Sequence, residues 1–198
     1  MNKPLGYVCA AASDSHKTVY ELLTTELQEL VRGAPRGCRL HTVGRLDCDT
    51  SGLLLITNDG KFSNSITGGF DTASGLLNHR VSKTYRVSLK KPVTSENQEI
   101  YINCAATGLT LPPEKKYGEQ KALPAKLIFE SPEICQITVQ EGKFHEVRRI
   151  FRALGNEVTE LERIAIGGLT LPQDLSPGHW RELTKSEKDS LYFHQPDR

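Results

Sequence analysis

Two hydrophobic periods alternate along the chain, and together they predict its elements. From Val19 to Val31 the apolar residues Val19, Leu22, Leu23, Leu27 and Leu30 fall on one helical stripe. Lys83 to Leu89 instead alternates at period two, with Tyr85, Val87 and Leu89 on one face and Thr84, Arg86 and Ser88 on the other. Ile134–Gln140 alternates again and sends Cys135, Ile137 and Val139 inward. Gly6–Ala10 and Leu40–Val43 read as short extended pieces, and Leu53–Thr57 as a continuous apolar strand. Asn58-Asp59-Gly60 signals a turn before a short helix near Phe62–Ile66. Ser95-x-x-Gln98 and Thr184-x-x-Glu187 each have the form of a capping box that opens a helix. Leu109–Pro124, with three prolines, reads as an exposed loop. Strands mixed irregularly with helices predict an α+β fold around a largely antiparallel sheet.

The 198 residues suffice for one core without a metal or disulfide staple. Five cysteines, odd in number and without a C-x-x-C pair, suit reduced thiols and argue against a zinc site. No apolar run approaches the length of a membrane span, and the first residues lack a signal-peptide core. The expectation is a cytoplasmic, monomeric protein with no membrane partner and no metal.

A net charge of +1, from 25 basic and 24 acidic residues, gives no bulk sign of nucleic acid. The distribution changes that picture. Residues 79–91 carry five Lys or Arg and no acid, and residues 143–152 carry four against one. Cations interleaved with an aromatic on a strand suit an RNA surface, although a solvated strand face gives the same pattern. Phe144–Leu154 is two-faced: Val147, Ile150, Phe151 and Leu154 share one arc of the helical wheel, while His145, Arg148, Arg149 and Arg152 share another. Arg148 lies nearest the apolar boundary and can turn toward a cleft.

Gly44-Arg45-Leu46-Asp47-Cys48-Asp49-Thr50-Ser51-Gly52 is the most distinctive stretch. Its paired aspartates imitate the opening of a calcium loop, but the twelfth position is Asn58 where a bidentate Glu is needed. A phosphoryl-transfer aspartate is disfavoured because no downstream acidic pair can hold Mg²⁺. A loop presenting one catalytic Asp beside arginines remains, against the plainer reading of two turn-forming aspartates.

The string Val43-Gly44-Arg45-Leu46-Asp47-x-Asp49-Thr50-x-Gly52-Leu53 resembles the catalytic loop of the pseudouridine synthases. Asn2-Lys3-Pro4-x-Gly6-Tyr7-Val8-Cys9, Lys83-Thr84-Tyr85-Arg86-Val87 and Glu141-Gly142-Lys143-Phe144-His145-Glu146-Val147-Arg148-Arg149 match in the same order. Arg163-Ile164-x-Ile166-Gly167-Gly168 and Leu175-x-Pro177-Gly178 resemble the branch that modifies small-subunit 16S ribosomal RNA. The resemblance implies a pseudouridine synthase fold, with helices and loops flanking the sheet around an active-site cleft. It implies isomerisation of one uridine, flipped out of 16S rRNA or of an assembling small-subunit particle, without a cofactor.

By the same resemblance Asp47 is the essential aspartate and Tyr85 stacks on the target base. Arg148 ion-pairs with the aspartate, Arg45 helps hold the flipped nucleotide, and Leu161 lines the pocket. Lys83, Arg86, Lys143, Arg149 and Arg152 are expected on the RNA backbone. Relatives of this branch also carry a small N-terminal RNA-binding domain of the S4 type, and the expectation here is a catalytic domain without it. The competing class is a non-catalytic RNA-binding module on the same fold.

Overall fold

A computed structural model describes residues 1–35, 37–68, 70–71, 76–77 and 81–192. His79 and Arg80 of the first basic window lie outside them. The principal strands, in chain order, are β1 (Asn2–Lys3), β2 (Ser51–Leu53), β3 (Lys83–Leu89), β4 (Lys126–Phe129), β5 (Ile134–Val139), β6 (Val158–Ile166) and β7 (Leu169–Thr170). The helices are α1 (Thr25–Arg32), α2 (Gly60–Thr67), α3 (Ser95–Thr107), α4 (Glu146–Ala153) and α5 (Lys185–Ser190). The chain divides into two compact units, one of Met1–Val81 with Arg163–Arg198 and one of Ser82–Glu162.

In the first unit β1 runs antiparallel to β2, with Asn2 opposite Leu53 and Lys3 opposite Gly52. The last residues of β6 turn through Gly167-Gly168 into β7, pairing Ile166 with Leu169. Both glycines are required there, because a Cβ on either would meet a backbone oxygen of Ser190 or Leu191 at 2.6 Å or less. That close approach seats Leu191 in a core with Val43, Leu53, Leu55, Ile66, Val81, Ile166 and Leu169. Asp59 caps α2 by accepting hydrogen bonds from the amides of Lys61 and Phe62. The Thr184–Glu187 capping box opens α5.

In the second unit β5 pairs antiparallel with β3 on one side and β4 on the other. The alternation holds: Val87 faces Cys135 across the ladder, Tyr85 faces Ile137, and Val87, Cys135 and Ile137 are fully buried. Ala105 of α3 and Val147, Ile150 and Phe151 of α4 complete this core. Burial pushes the Cys135 thiol up to about 12, so it is a packing group.

Several boundaries differ from the sequence expectation. The Val19–Val31 stripe breaks into a 3₁₀ turn, Val19–Leu22, and α1, because Leu23 and Thr24 adopt extended backbone. Leu30 is exposed as a result. The Leu53–Thr57 run serves two ladders instead of one strand. Leu54 exchanges hydrogen bonds with Met1, whereas Leu55 accepts from Val43 and Ile56–Thr57 pairs with His41–Thr42. Helix α3 starts from Thr94, not from a Ser95 box. The 109–124 segment is partly inside: Leu111 and Ala122 are buried, and Thr110–Leu111 pairs with Gln120–Lys121. Prolines and charge marked its turns correctly, but two isolated apolar positions carry no period to reveal burial.

Candidate active site

The carboxylate loop lies in the first unit. Gly44, with φ +70°, opens it. Gly52, with φ +101°, closes it where a Cβ would lie 2.3–2.9 Å from the Arg163 backbone. Only glycine satisfies both the dihedral and the approach. Within the loop Leu46 is buried, Asp47 is half-buried, and Arg45 and Asp49 are exposed. A turn closes through the Thr50 amide, which donates to the Asp47 carbonyl at 3.1 Å. This arrangement buries the loop's hydrophobic anchor and leaves one carboxylate at the protein–solvent boundary.

The N-terminal segment pins this turn at three points. The Lys3 ammonium, fully buried, donates to the Thr50 carbonyl at 2.7 Å and to the Pro4 carbonyl at 3.1 Å. The Gly6 amide donates to the Cys48 carbonyl at 2.8 Å, and the Leu46 amide to Cys9 Sγ at 3.4 Å. Burial lowers the pKa of Lys3, while the nearby Asp47 and Asp49 carboxylates act against that shift. Arg163, also buried, donates from Nε to the Leu53 carbonyl at 2.7 Å. Lys3 and Arg163 fall within the sequence motifs, but the sequence pattern assigns them no role. The one available signal was a lysine and an arginine amid residues that form strands.

The second unit holds the other expected residues. Tyr85 sits in β3, half-buried against the core. Leu161 sits in β6, the neighbouring strand, and is buried in that core. Arg148, half-buried on α4, donates from Nη1 to the carbonyl of Val158, the first residue of β6. Three elements of this unit thus present an aromatic ring, an aliphatic side chain and a guanidinium from adjacent backbone.

The expected backbone-contact residues divide. Arg152 is half exposed and pairs with Glu114 at 3.1 Å. Arg86 is exposed and pairs with Glu130 at 3.1 Å, and Lys83 is half-buried. Lys143 pairs with the buried Glu141. Arg149 corrects the helical-wheel reading, because it is fully buried and not on an exposed basic face. Its guanidinium donates to the carbonyls of Pro112, Gly118 and Phe144 and to Gln120 Oε1. The wheel failed because residues 112–120 cover what would otherwise be the solvated side of α4. A planar fork of donors suits several converging carbonyls.

Glu141 and Glu146 form a buried pair beside α4. Burial opposes ionising Glu141, but hydrogen bonds from Lys143 and the Leu123 amide prevail and hold its carboxyl below the ordinary range. Burial and the adjacent Glu141 charge push Glu146 up to about 7. One carboxylate is thus ionised and the other holds the proton near neutrality.

The sequence model of the RNA pseudouridylate synthase family matches residues 1–153. The chain belongs to that family. This RNA pseudouridylate synthase is 40% identical over 191 residues to the ribosomal small subunit pseudouridine synthase A of Escherichia coli (strain K12), covering 96% of this chain and 72% of that one. The protein of the same name from Yersinia pestis is 37% identical, with 96% and 71% covered. A crystal structure of a pseudouridylate synthase superposes with a TM-score of 0.77 at 37% identity, covering 96% of this chain and 71% of that one. A structure of an H/ACA RNP bound to a substrate RNA containing 2′-deoxyuridine matches at a TM-score of 0.54 and 15% identity, covering 89% of this chain and 49% of that one, and shares the fold alone. The α+β class and the pseudouridine synthase fold expected from the sequence are both found. Among the described residues no helix is long and apolar enough to cross a membrane.

Proposed function

We propose that this pseudouridine synthase isomerises a uridine of small-subunit, 16S, ribosomal RNA, with Asp47 as its catalytic carboxylate. The reaction breaks the C1′–N1 bond, rotates the uracil, joins C5 to C1′ and moves one proton from C5 to solvent while N1 gains one. Atoms and electrons balance within the nucleotide, so the chemistry calls for a carboxylate, a base-holding surface and little water. Asp47 acts either as nucleophile at the sugar or as base at C2′. Flipping the target out of folded RNA costs a few kcal/mol. Stacking on Tyr85 returns about 1–3 kcal/mol. By the family resemblance Arg148 is the cation for the reaction, Leu161 an apolar wall for the base, and Arg45 an exposed cation for the displaced nucleotide.

The observation that carries this reading is the pinned turn: a half-buried Asp47 held by Lys3, Gly6 and Gly52 in a chain 40% identical to a small-subunit enzyme. The experiment is tritium release from 16S rRNA labelled at uridine C5, followed by mapping of the modified uridine. Asp47→Ala is expected to abolish release without loss of folding. Release by that variant at the parent rate would sink the assignment, and salt-dependent RNA binding without isomerisation by the parent would favour the binding-module alternative.

A further inference from the structure

The second unit carries an aromatic stack that the reaction does not use. Tyr117 and Phe144 stack with ring centroids 4.8 Å apart and planes 20° from parallel. Phe144 stacks in turn on His145, at 3.8 Å and 17°. Two lysines lie over the rings: Lys115 Nζ is 5.3 Å from the Phe144 centroid and Lys116 Nζ 5.6 Å from the Tyr117 centroid. Both lysine side chains are exposed and neither forms an ion pair among the described residues, whereas the three rings are half-buried.

This arrangement is fixed before any ligand arrives. Glu114 and Tyr117 exchange amide-to-carbonyl hydrogen bonds at 2.8 and 2.9 Å, closing a tight turn with Lys115 at its tip. The Glu114 carboxylate bonds His145 Nδ1 at 2.7 Å and Arg152 Nη1 at 3.1 Å. Beneath, the buried Arg149 binds the turn's flanking carbonyls at Pro112 and Gly118 and that of Phe144. The segment is therefore tied to α4 by a carboxylate and a guanidinium, and the rings are not needed to hold it. Among the described residues Phe144 is the ring partner of Tyr117, and the Lys116 ammonium lies over the Tyr117 ring on a flexible exposed side chain that can swing aside for a base.

We propose that the Tyr117–Phe144–His145 stack, with Lys115 and Lys116, is a second RNA subsite, which takes an unpaired base of the substrate RNA on Tyr117 and its phosphates on the lysines. The inference rests on the reading that the substrate is RNA, and the base concerned is not the target uridine, which is assigned to Tyr85. Aromatic rings accept any base by stacking, and adjacent ammonium groups neutralise the backbone. A protein partner would be served as well by an apolar patch, and exposed unpaired lysines favour the polyanion.

The test uses the full chain, fluorescein-labelled oligouridylate, and 16S rRNA labelled with tritium at uridine C5. Tyr117→Leu is expected to weaken oligouridylate binding roughly 5- to 150-fold and to raise KM with kcat unchanged at saturating RNA. Tyr117→Phe keeps the ring and is expected to bind as the parent does. Lys115→Gln/Lys116→Gln alters only exposed side chains, which protects the test from a folding defect. It is expected to flatten the salt dependence of log K by about 0.7 per lysine. An active parent whose affinity is unmoved by Tyr117→Leu and whose salt slope is unmoved by the double variant overturns the subsite and leaves the enzyme assignment standing. A fall in kcat at unchanged KM for Tyr117→Leu also overturns it, by showing that the stack only supports α4. A parent that releases no tritium removes the enzyme reading instead, and the subsite is then judged by oligouridylate binding alone.

Discussion

The ammonium of Lys3 donates to the Thr50 carbonyl at 2.7 Å from a fully buried position, and so fastens the first strand to the turn that carries Asp47. A charged donor is worth more than a neutral one at such a site, about 1.5–3 kcal/mol. Lys3→Met is expected to lower stability by that amount in urea unfolding. Amide exchange is expected to speed up at Thr50 and Gly52, with turnover falling and RNA affinity unchanged. Wild-type exchange at these amides would contradict the fastening role.

Gly52→Ala tests the other end of the loop. Its Cβ would lie 2.3 Å from the Arg163 carbonyl oxygen, at a φ of +101° that L side chains rarely adopt. Backbone strain of about 1–3 kcal/mol adds to the steric overlap. The variant is expected to unfold at lower temperature than the parent and to release no tritium. Full activity would show that the loop tolerates a rearranged closure.

Arg149 and Arg152, three residues apart, should behave as opposites. Arg149→Met removes the donors for buried carbonyls and is expected to cost about 3–5 kcal/mol in urea unfolding. Arg152→Ala breaks a half-exposed pair with Glu114 and should change stability by less than about 1 kcal/mol. It should also reduce the salt slope of RNA binding. Equal stabilities for the two variants would refute the division.

The Glu141–Glu146 pair predicts a pH signature. Glu146 has its carboxyl raised from 4.5 to about 7 by burial and by the Glu141 charge. The folded state therefore binds more protons than the unfolded chain between those values. Stability contributed by the protonated Glu146 is complete below about pH 4.5 and is lost as pH rises through about 7. Glu146→Gln should match the parent near the acid end of that window and exceed it above the window, as read from urea midpoints. Parallel pH profiles for the two proteins would exclude this titration.

Much of this molecule is legible without coordinates. Alternation placed Val87, Cys135 and Ile137 in the core and Tyr85 on their side of β3, because period two leaves a strand only one way to bury a face. Gly44 to Gly52 read as a turn-rich loop around Asp47, and the structure puts both end glycines at positive φ. The order of the motifs identified the family, as the match to the family model over residues 1–153 shows. Short-range chemistry of this kind is written in the chain itself.

Long-range cover is not. Arg149 reads as one of a row of exposed cations until residues 112–120 fold over it, and nothing near Lys3 in the chain announces the Thr50 carbonyl that it meets across 47 positions. Tyr117 and Phe144 have no periodic relationship in sequence, yet their rings meet at 4.8 Å. Sequence thus determined the alternating strands β3 and β5 and the family, and singled out Asp47 as the candidate carboxylate. Only the tertiary structure decided which charges are buried, because a buried cation is tolerated solely where distant carbonyls or carboxylates converge on it.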